Sequence, residues 1–275
     1  MNVLLYALVT YELYNLHCHI AKDSHTLQKG AVVRHIAKAH YLKGRLPEES
    51  MEFLAKAIRF VTLNCRTLSR NTHEDRPVIS IENYTIYCGD TDEKKVGGCA
   101  IAVRNDYNNL VKEFGSTSSR CAFVRLRDRR GRKLWIGSAH APTEIAENNS
   151  KDAFYDELNA LMSKIPSQQV VIVGIESNTR MGLEQQSDVL ERWYYPAKLT
   201  WDNGDRLLDL SEQAGLIIAS TFKSNHRRHQ LTWQGTTPLT QEEQHKRKMT
   251  TLKLLLDHVL TRNIPQSDIG KSRAV

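Results

Sequence analysis

Apolar positions recur along this chain in two different periods, and the change between them marks its elements. From Val61 onward, short apolar runs end in turn residues, which predicts strands at "FVTLNC", "YTIYC" and "GGCAIAVRN". "RCAFVRLRD" and "KLWIGSAHAP" alternate apolar with polar, and "RDRRGR" between them reads as a hairpin turn. "QVVIVG" is apolar without interruption, the pattern of a strand buried on both faces. "SKDAFYDELNALMSKIP" has helical period, with Phe154, Leu158, Leu161 and Ile165 on one stripe and Ser150 as its expected cap. "NGDRLLDLSEQAGLIIAST" predicts a helix, a stop at Gly215 and a strand. "HQLTWQG" and "LKLLLDHVLTR" close the chain as two strands.

Residues 1–56 read differently. "PEESMEFLAKAIRF" places Pro47 at a helix start and Met51, Leu54, Ala55 and Ile58 on one face, so this region is expected to form a helical extension without chemistry. Residues 57–275 then form one domain. Strands in mixed order with few, late helices predict an α/β sandwich of two sheets rather than repeated strand–helix–strand units.

Composition narrows the class. The 40% hydrophobic content over 275 residues suits a packed globule. The 38 Lys and Arg exceed the 31 Asp and Glu, and the excess clusters in "RLRDRRGRK", "NHRRH" and "HKRK". Such clusters favour a polyanion, although solvated turns would look the same. Five scattered cysteines form no CxxC pair, which indicates neither zinc nor a disulfide framework and fits a reducing, intracellular setting. No apolar run has the length of a membrane span, and the apolar start lacks the basic flank of a signal peptide.

Polar residues stand at the ends of the predicted strands: Asn64, His140, Glu176, Asn178 and Asp257. Each alone fits a turn or a surface position. A carboxylate and an amide two residues apart after a buried strand raise the question of a metal and phosphate site, since hard cations take oxygen ligands.

In order, "TLNCRTL", "GGCAIAVRN", "SAHAPT", "VVIVGIESNTRMG", "HQLTW" and "LDHVLTRN" resemble the endonuclease/exonuclease/phosphatase superfamily. The nearest resemblance is to the apurinic-endonuclease-like domain of non-LTR retrotransposons and the craniofacial-development-protein-like reading frames related to them. It covers Ala57 to Val275. The resemblance implies a four-layer sandwich of two mixed β-sheets flanked by helices, and Mg²⁺- or Mn²⁺-dependent phosphodiester hydrolysis on nucleic acid, DNA above all. It implies Asn64 and Glu176 at the metal, and Glu176, Asn178, His140 and Asp257 in catalysis. Arg227 and Arg228, with Thr232 and Trp233 of the family's "TW" strand, are expected at the nucleic-acid surface. The expected setting is nuclear or cytoplasmic.

Three departures accompany the resemblance. The family's inner strand ending in a metal-binding Glu has no counterpart after Leu68, where "SRNTHEDRPVIS" follows. Glu176 replaces the family's Asp, a change of one methylene that moves a carboxylate by ~1 Å. The chain stops at Val275, before the Ser-Asp-His strand that carries the catalytic His, and His258 fits an earlier Tyr position. The expectation is a truncated, impaired or inactive phosphodiesterase. A non-catalytic nucleic-acid-binding remnant and a poorly folded product without selected function are the alternatives.

Overall fold

A computed structural model describes residues 3–12, 40–44, 58–67, 78–80, 83–90, 98–182, 187–190, 200–222, 232–237, 250–269 and 273–274. Fifteen strands are present among them. They are β1 (Val3–Glu12), β2 (His40–Gly44), β3 (Ile58–Thr67), β4 (Val78–Ser80), β5 (Tyr84–Cys88), β6 (Cys99–Arg104), β7 (Val111–Ser118), β8 (Cys121–Arg127), β9 (Lys133–His140), β10 (Val170–Glu176), β11 (Ile217–Ile218), β12 (Trp233–Thr237), β13 (Thr250–Leu254), β14 (Asp257–Arg262) and β15 (Arg273–Ala274). Two α-helices accompany them, α1 (Asn148–Lys164) and α2 (Asp202–Ala214).

The strands form two mixed sheets, so the α/β architecture of two sheets with helices stands. One has seven strands in the order β15-β2-β3-β1-β6-β5-β4, the other six in the order β11-β14-β10-β9-β8-β7, and β12 and β13 form a separate ribbon. Alternation along the strands sorts their side chains into two cores. Ile101 and Val103 of β6 meet Leu126, Leu134, Ile136, Val170, Ile172 and Val259 of the six-stranded sheet, filling the space between the sheets. The odd-numbered neighbours Val171, Val173 and Ile175 face the other way, onto Phe154, Leu158 and Leu161 of α1 and Leu207 of α2. This explains why β10 is buried along its whole length.

Several expectations change in detail. Ser150 lies inside α1, whose N-cap is Glu147 without a side-chain cap, because Ser150 N–H already donates to the Glu147 carbonyl. Gly215 does end α2, at φ 63°, a left-handed conformation that glycine adopts without penalty. "LKLLLDHVLTR" is not one strand. It breaks at Leu255–Leu256, where the Thr232 hydroxyl accepts both Leu256 N–H (3.0 Å) and Asp257 N–H (3.2 Å). Two N–H groups so diverted leave the ladder, which lets β13 pair with β12 and β14 with β10.

The first 56 residues supply more than an extension: β1 and β2 are strands of the seven-stranded sheet, and β1 lies between β3 and β6. The helix expected from Pro47 falls largely outside the described residues, and its last turn, from Ile58, belongs to β3. Of the segment after Leu68, where a strand was expected to be missing, residues 68–77 also lie outside them, and its last three residues form β4. In the sheet, the position beside β3 is filled by β1, from the other side of Asn64 in sequence. β7, with the charged sequence "VKEFGSTS", and the three-residue β4 carried no pattern that would have announced them. No described helix is long and apolar enough to cross a membrane.

Candidate functional site

β9 runs parallel to β10, and β14 antiparallel to it, in registers that set His140 opposite Glu176 and Glu176 opposite Asp257. Laterally paired residues project to the same face of a sheet. His140, Glu176 and Asp257 therefore form one row across three neighbouring strands, on the face that carries Ile172 and Val259 into the space between the sheets. The seven-stranded sheet brings its own end to this row. Cys99, at the start of β6, hydrogen-bonds through its thiol with the side chain of Ser138 and lies within electrostatic reach of Glu176. In the ladders of that sheet Cys99 pairs with Val9, and Val9 with Asn64. Asn64 thus stands at the same end of the sandwich as Glu176.

The row is nearly dry. Glu176 is 6% exposed and Asp257 2%. His140 Nε2 lies 3.4 Å from Glu176 Oε2. Burial, assisted by the Arg120 guanidinium, lowers the His140 pKa to about 4, so the imidazole is neutral at pH 7 and this pair is not an ion pair. Burial pushes the Asp257 carboxyl up to about 7, against a hydrogen bond from the Thr232 side chain. Its Oδ1 has no hydrogen-bond partner, and a buried oxygen in that state is costly unless it is protonated or meets a cation.

The turn after β10 is pinned from three sides. Ser177 donates both its N–H (2.8 Å) and its hydroxyl (3.0 Å) to the Leu256 carbonyl. Asn178 sits at φ 50°, a left-handed position that Asn tolerates better than most residues. Its amide donates to the Ala141 carbonyl (2.9 Å), and Ala141 N–H donates to the Glu176 carbonyl (2.9 Å). "SAHAPT" and "GIESNT" are thereby tied together.

Sequence reasoning missed the next layer. Glu144 accepts the first N–H groups of α2, from Asp202 (3.0 Å) and Asn203 (3.2 Å), and so caps a helix whose N-cap Trp201 makes no side-chain cap bond. The Asn203 amide donates to the Pro142 carbonyl (2.9 Å). Gly204 lets the following turn press close: a Cβ there would lie 2.7 Å from the Arg180 carbonyl oxygen. The Arg180 guanidinium stacks over the Trp201 ring at 4.3 Å. "WDNGD" before an apolar helical run was the available signal, since Asp-Asn-Gly is a helix-entry sequence.

Of the residues expected at the site, His140, Glu176, Asn178 and Asp257 are brought together, and Asn64 is placed at the same end by its register. Thr232 is buried at 1% exposure, and its hydroxyl accepts the Asp257 N–H. Trp233 begins β12. Arg227 and Arg228 lie outside the described residues. His258 is buried beside Ser220, its Nδ1 3.0 Å from the serine oxygen. The carboxylate and amide oxygens of Glu176, Asp257 and Asn178 are the donor type a hard cation takes, and the partnerless Asp257 oxygen is consistent with one. Among the described residues, however, no three His, Cys, Asp or Glu side chains converge on one point.

No protein-family model matches the chain. It is similar in sequence to craniofacial development protein 2 of Tragulus javanicus, 24% identical over 154 residues, 56% of this chain and 26% of that protein. The Bos taurus protein of the same name is 23% identical over 154 residues, 56% of this chain and 25% of that one. The matched region thus spans about a quarter of those relatives. Among solved structures, the fold is similar to the endonuclease domain of TRAS1, a telomere-specific non-LTR retrotransposon, at 12% identity and TM-score 0.41, covering 66% of this chain and 65% of that one. It is also similar to D. rerio TDP2 complexed with single strand DNA product, at 12% identity and TM-score 0.43, covering 94% and 84%.

Proposed function

We propose that this chain carries a phosphodiesterase site of the endonuclease/exonuclease/phosphatase kind, directed at nucleic acid and slow in this sequence. The observation that carries the reading is the buried row His140–Glu176–Asp257, closed by Asn178 at the next turn. Glu176 is the group to align and deprotonate the attacking water, and Asn178 the group to hold a non-bridging phosphate oxygen. Neutral His140 can donate one N–H without carrying charge. Asp257, with its raised pKa, can hold a proton near neutral pH. Mg²⁺ or Mn²⁺ fits the oxygen donors, with Glu176 and Asn64 as its proposed ligands, and when bound supplies the positive charge that offsets the anionic phosphate. DNA is the proposed partner, met in the nucleus or cytoplasm.

The absence of a third converging ligand among the described residues favours a second reading, nucleic-acid binding without turnover. Salt separates the two. Binding through phosphates weakens with a slope of about −0.9 per neutralised phosphate in a log–log plot, whether or not cleavage follows. Nicking of supercoiled plasmid in Mn²⁺, abolished by EDTA, supports the hydrolase. Salt-sensitive binding without any nicking leaves the binding reading. Neither binding nor nicking rejects both.

A further inference from the structure

The central strand of the larger sheet is its first in sequence. β1 is fourth of seven, parallel to β3 through ten consecutive pairs from Val3↔Ile58 to Glu12↔Thr67, and antiparallel to β6 through five. β3 and β6 do not pair with each other, so the sheet's two halves, β15-β2-β3 and β6-β5-β4, are joined through β1. The sequence Val3-Leu4-Leu5-Tyr6-Ala7-Leu8-Val9 is apolar without interruption, which is the pattern of a strand covered on both faces. In register, Leu5 pairs with Val103 and Ala7 with Ile101, and the side chains of Val103 and Ile101 fill the core between the sheets. Val9 stands between Asn64 and Cys99, so the same strand borders the end of the sandwich that holds the candidate site. Residues 13–39 link β1 to β2, which lies on the far side of β3.

We propose that β1 is a donor strand, and that β3 and β6 form a slot accepting an extended apolar segment of this pattern, here the chain's own residues Val3–Glu12. Two ladders and an apolar body hold it, rather than the covalent link. The mode is strand addition, in which main-chain hydrogen bonds provide affinity and alternate side chains provide selectivity. It differs from the usual case in filling an interior position, so its loss exposes two edges at once. The inference is independent of the chemistry assigned to the site.

The test uses the full chain with a protease recognition sequence placed between residues 13 and 39. After complete cleavage under native conditions, the N-terminal fragment is expected to stay at one-to-one ratio through gel filtration, with a single cooperative melting transition. A fluorescent Met1–Glu12 peptide added in mild urea is expected to replace the cleaved fragment, and a scrambled peptide of equal composition is not. Ala7→Pro removes an N–H and forces a ring into a strand paired on both sides, and is expected to release the fragment on cleavage. Any of three results overturns the proposal. The fragment may leave while the remainder keeps its transition, cleavage may precipitate the protein, or the scrambled peptide may be taken up equally.

Discussion

Replacing Asp257 by Asn tests the energetics of the buried row, because the two forms have nearly the same shape and differ in charge. Asp257 is 2% exposed, and the backbone N–H groups around it go to the Thr232 hydroxyl rather than to its carboxylate. Its pKa rises from an ordinary 3.8 to about 7, chiefly through burial. The folded protein therefore holds a proton there that the unfolded chain has already released. Stability falls as pH rises from about 4 to about 7 and is flat above. At about 1.4 kcal/mol per pH unit, the full loss is on the order of 4 kcal/mol, an upper figure. His140 acts with the opposite sign: its pKa is depressed from 6.5 to about 4, so its contribution is present above pH 6.5 and lost as pH falls toward 4. The two oppose each other in the wild-type curve, so the informative quantity is the difference between Asp257→Asn and wild type, in which the His140 effect cancels. Urea unfolding in EDTA at half-unit steps from pH 4.5 to 8 gives it. The variant should gain on wild type by a few kcal/mol across that range and level off above pH 7. A difference that does not change with pH refutes the assignment of a charge-starved Asp257.

Other consequences follow from the same contacts. Arg262 donates to the carbonyls of Ala214, Ile165 and Pro166 at the ends of both helices. Arg262→Met leaves them unpaired and should cost about 2–4 kcal/mol in denaturant unfolding, with no change in m. Gly204→Ala puts a methyl 2.7 Å from both the Arg180 carbonyl oxygen and Thr200 Cγ2. It should cost about 1–3 kcal/mol and change the tryptophan fluorescence, as Trp201 loses its place under Arg180. His140→Gln should flatten the acid limb of the stability curve between pH 4 and 6.5, removing on the order of 3 kcal/mol of pH dependence. Glu176→Asp alone should leave any nicking rate essentially unchanged, because residues acting as a unit are not restored one at a time.

The six-stranded sheet was legible because its strands satisfy local rules. β8 and β9 alternate around a turn in which Gly131 takes φ 83° and the Asp128 carboxylate accepts Arg132 N–H at 2.8 Å, and β10 is apolar throughout. The residues proposed for the site were picked by type, as a carboxylate and an amide after a buried strand. Register was not legible: no local pattern says that Asp257 pairs with Glu176, or that "LKLLLDHVLTR" breaks where Thr232 takes two N–H groups. β1 was missed for a related reason. Its apolar run suited several structures, and only its non-local pairing with β3 and β6 makes it a strand. The Glu144 cap of α2 joins elements distant in sequence and left no local sign beyond "WDNGD".

The account's central claim is that Glu176 and Asn178 serve one phosphodiester site. A time course of supercoiled-plasmid nicking in Mn²⁺, run in parallel for wild type, Glu176→Ala and Asn178→Ala with far-ultraviolet circular dichroism confirming each fold, tests it most directly. The account predicts slow, EDTA-sensitive nicking by wild type and none by either variant. Nicking that persists in folded Glu176→Ala or Asn178→Ala contradicts it, as does a wild-type chain that never nicks.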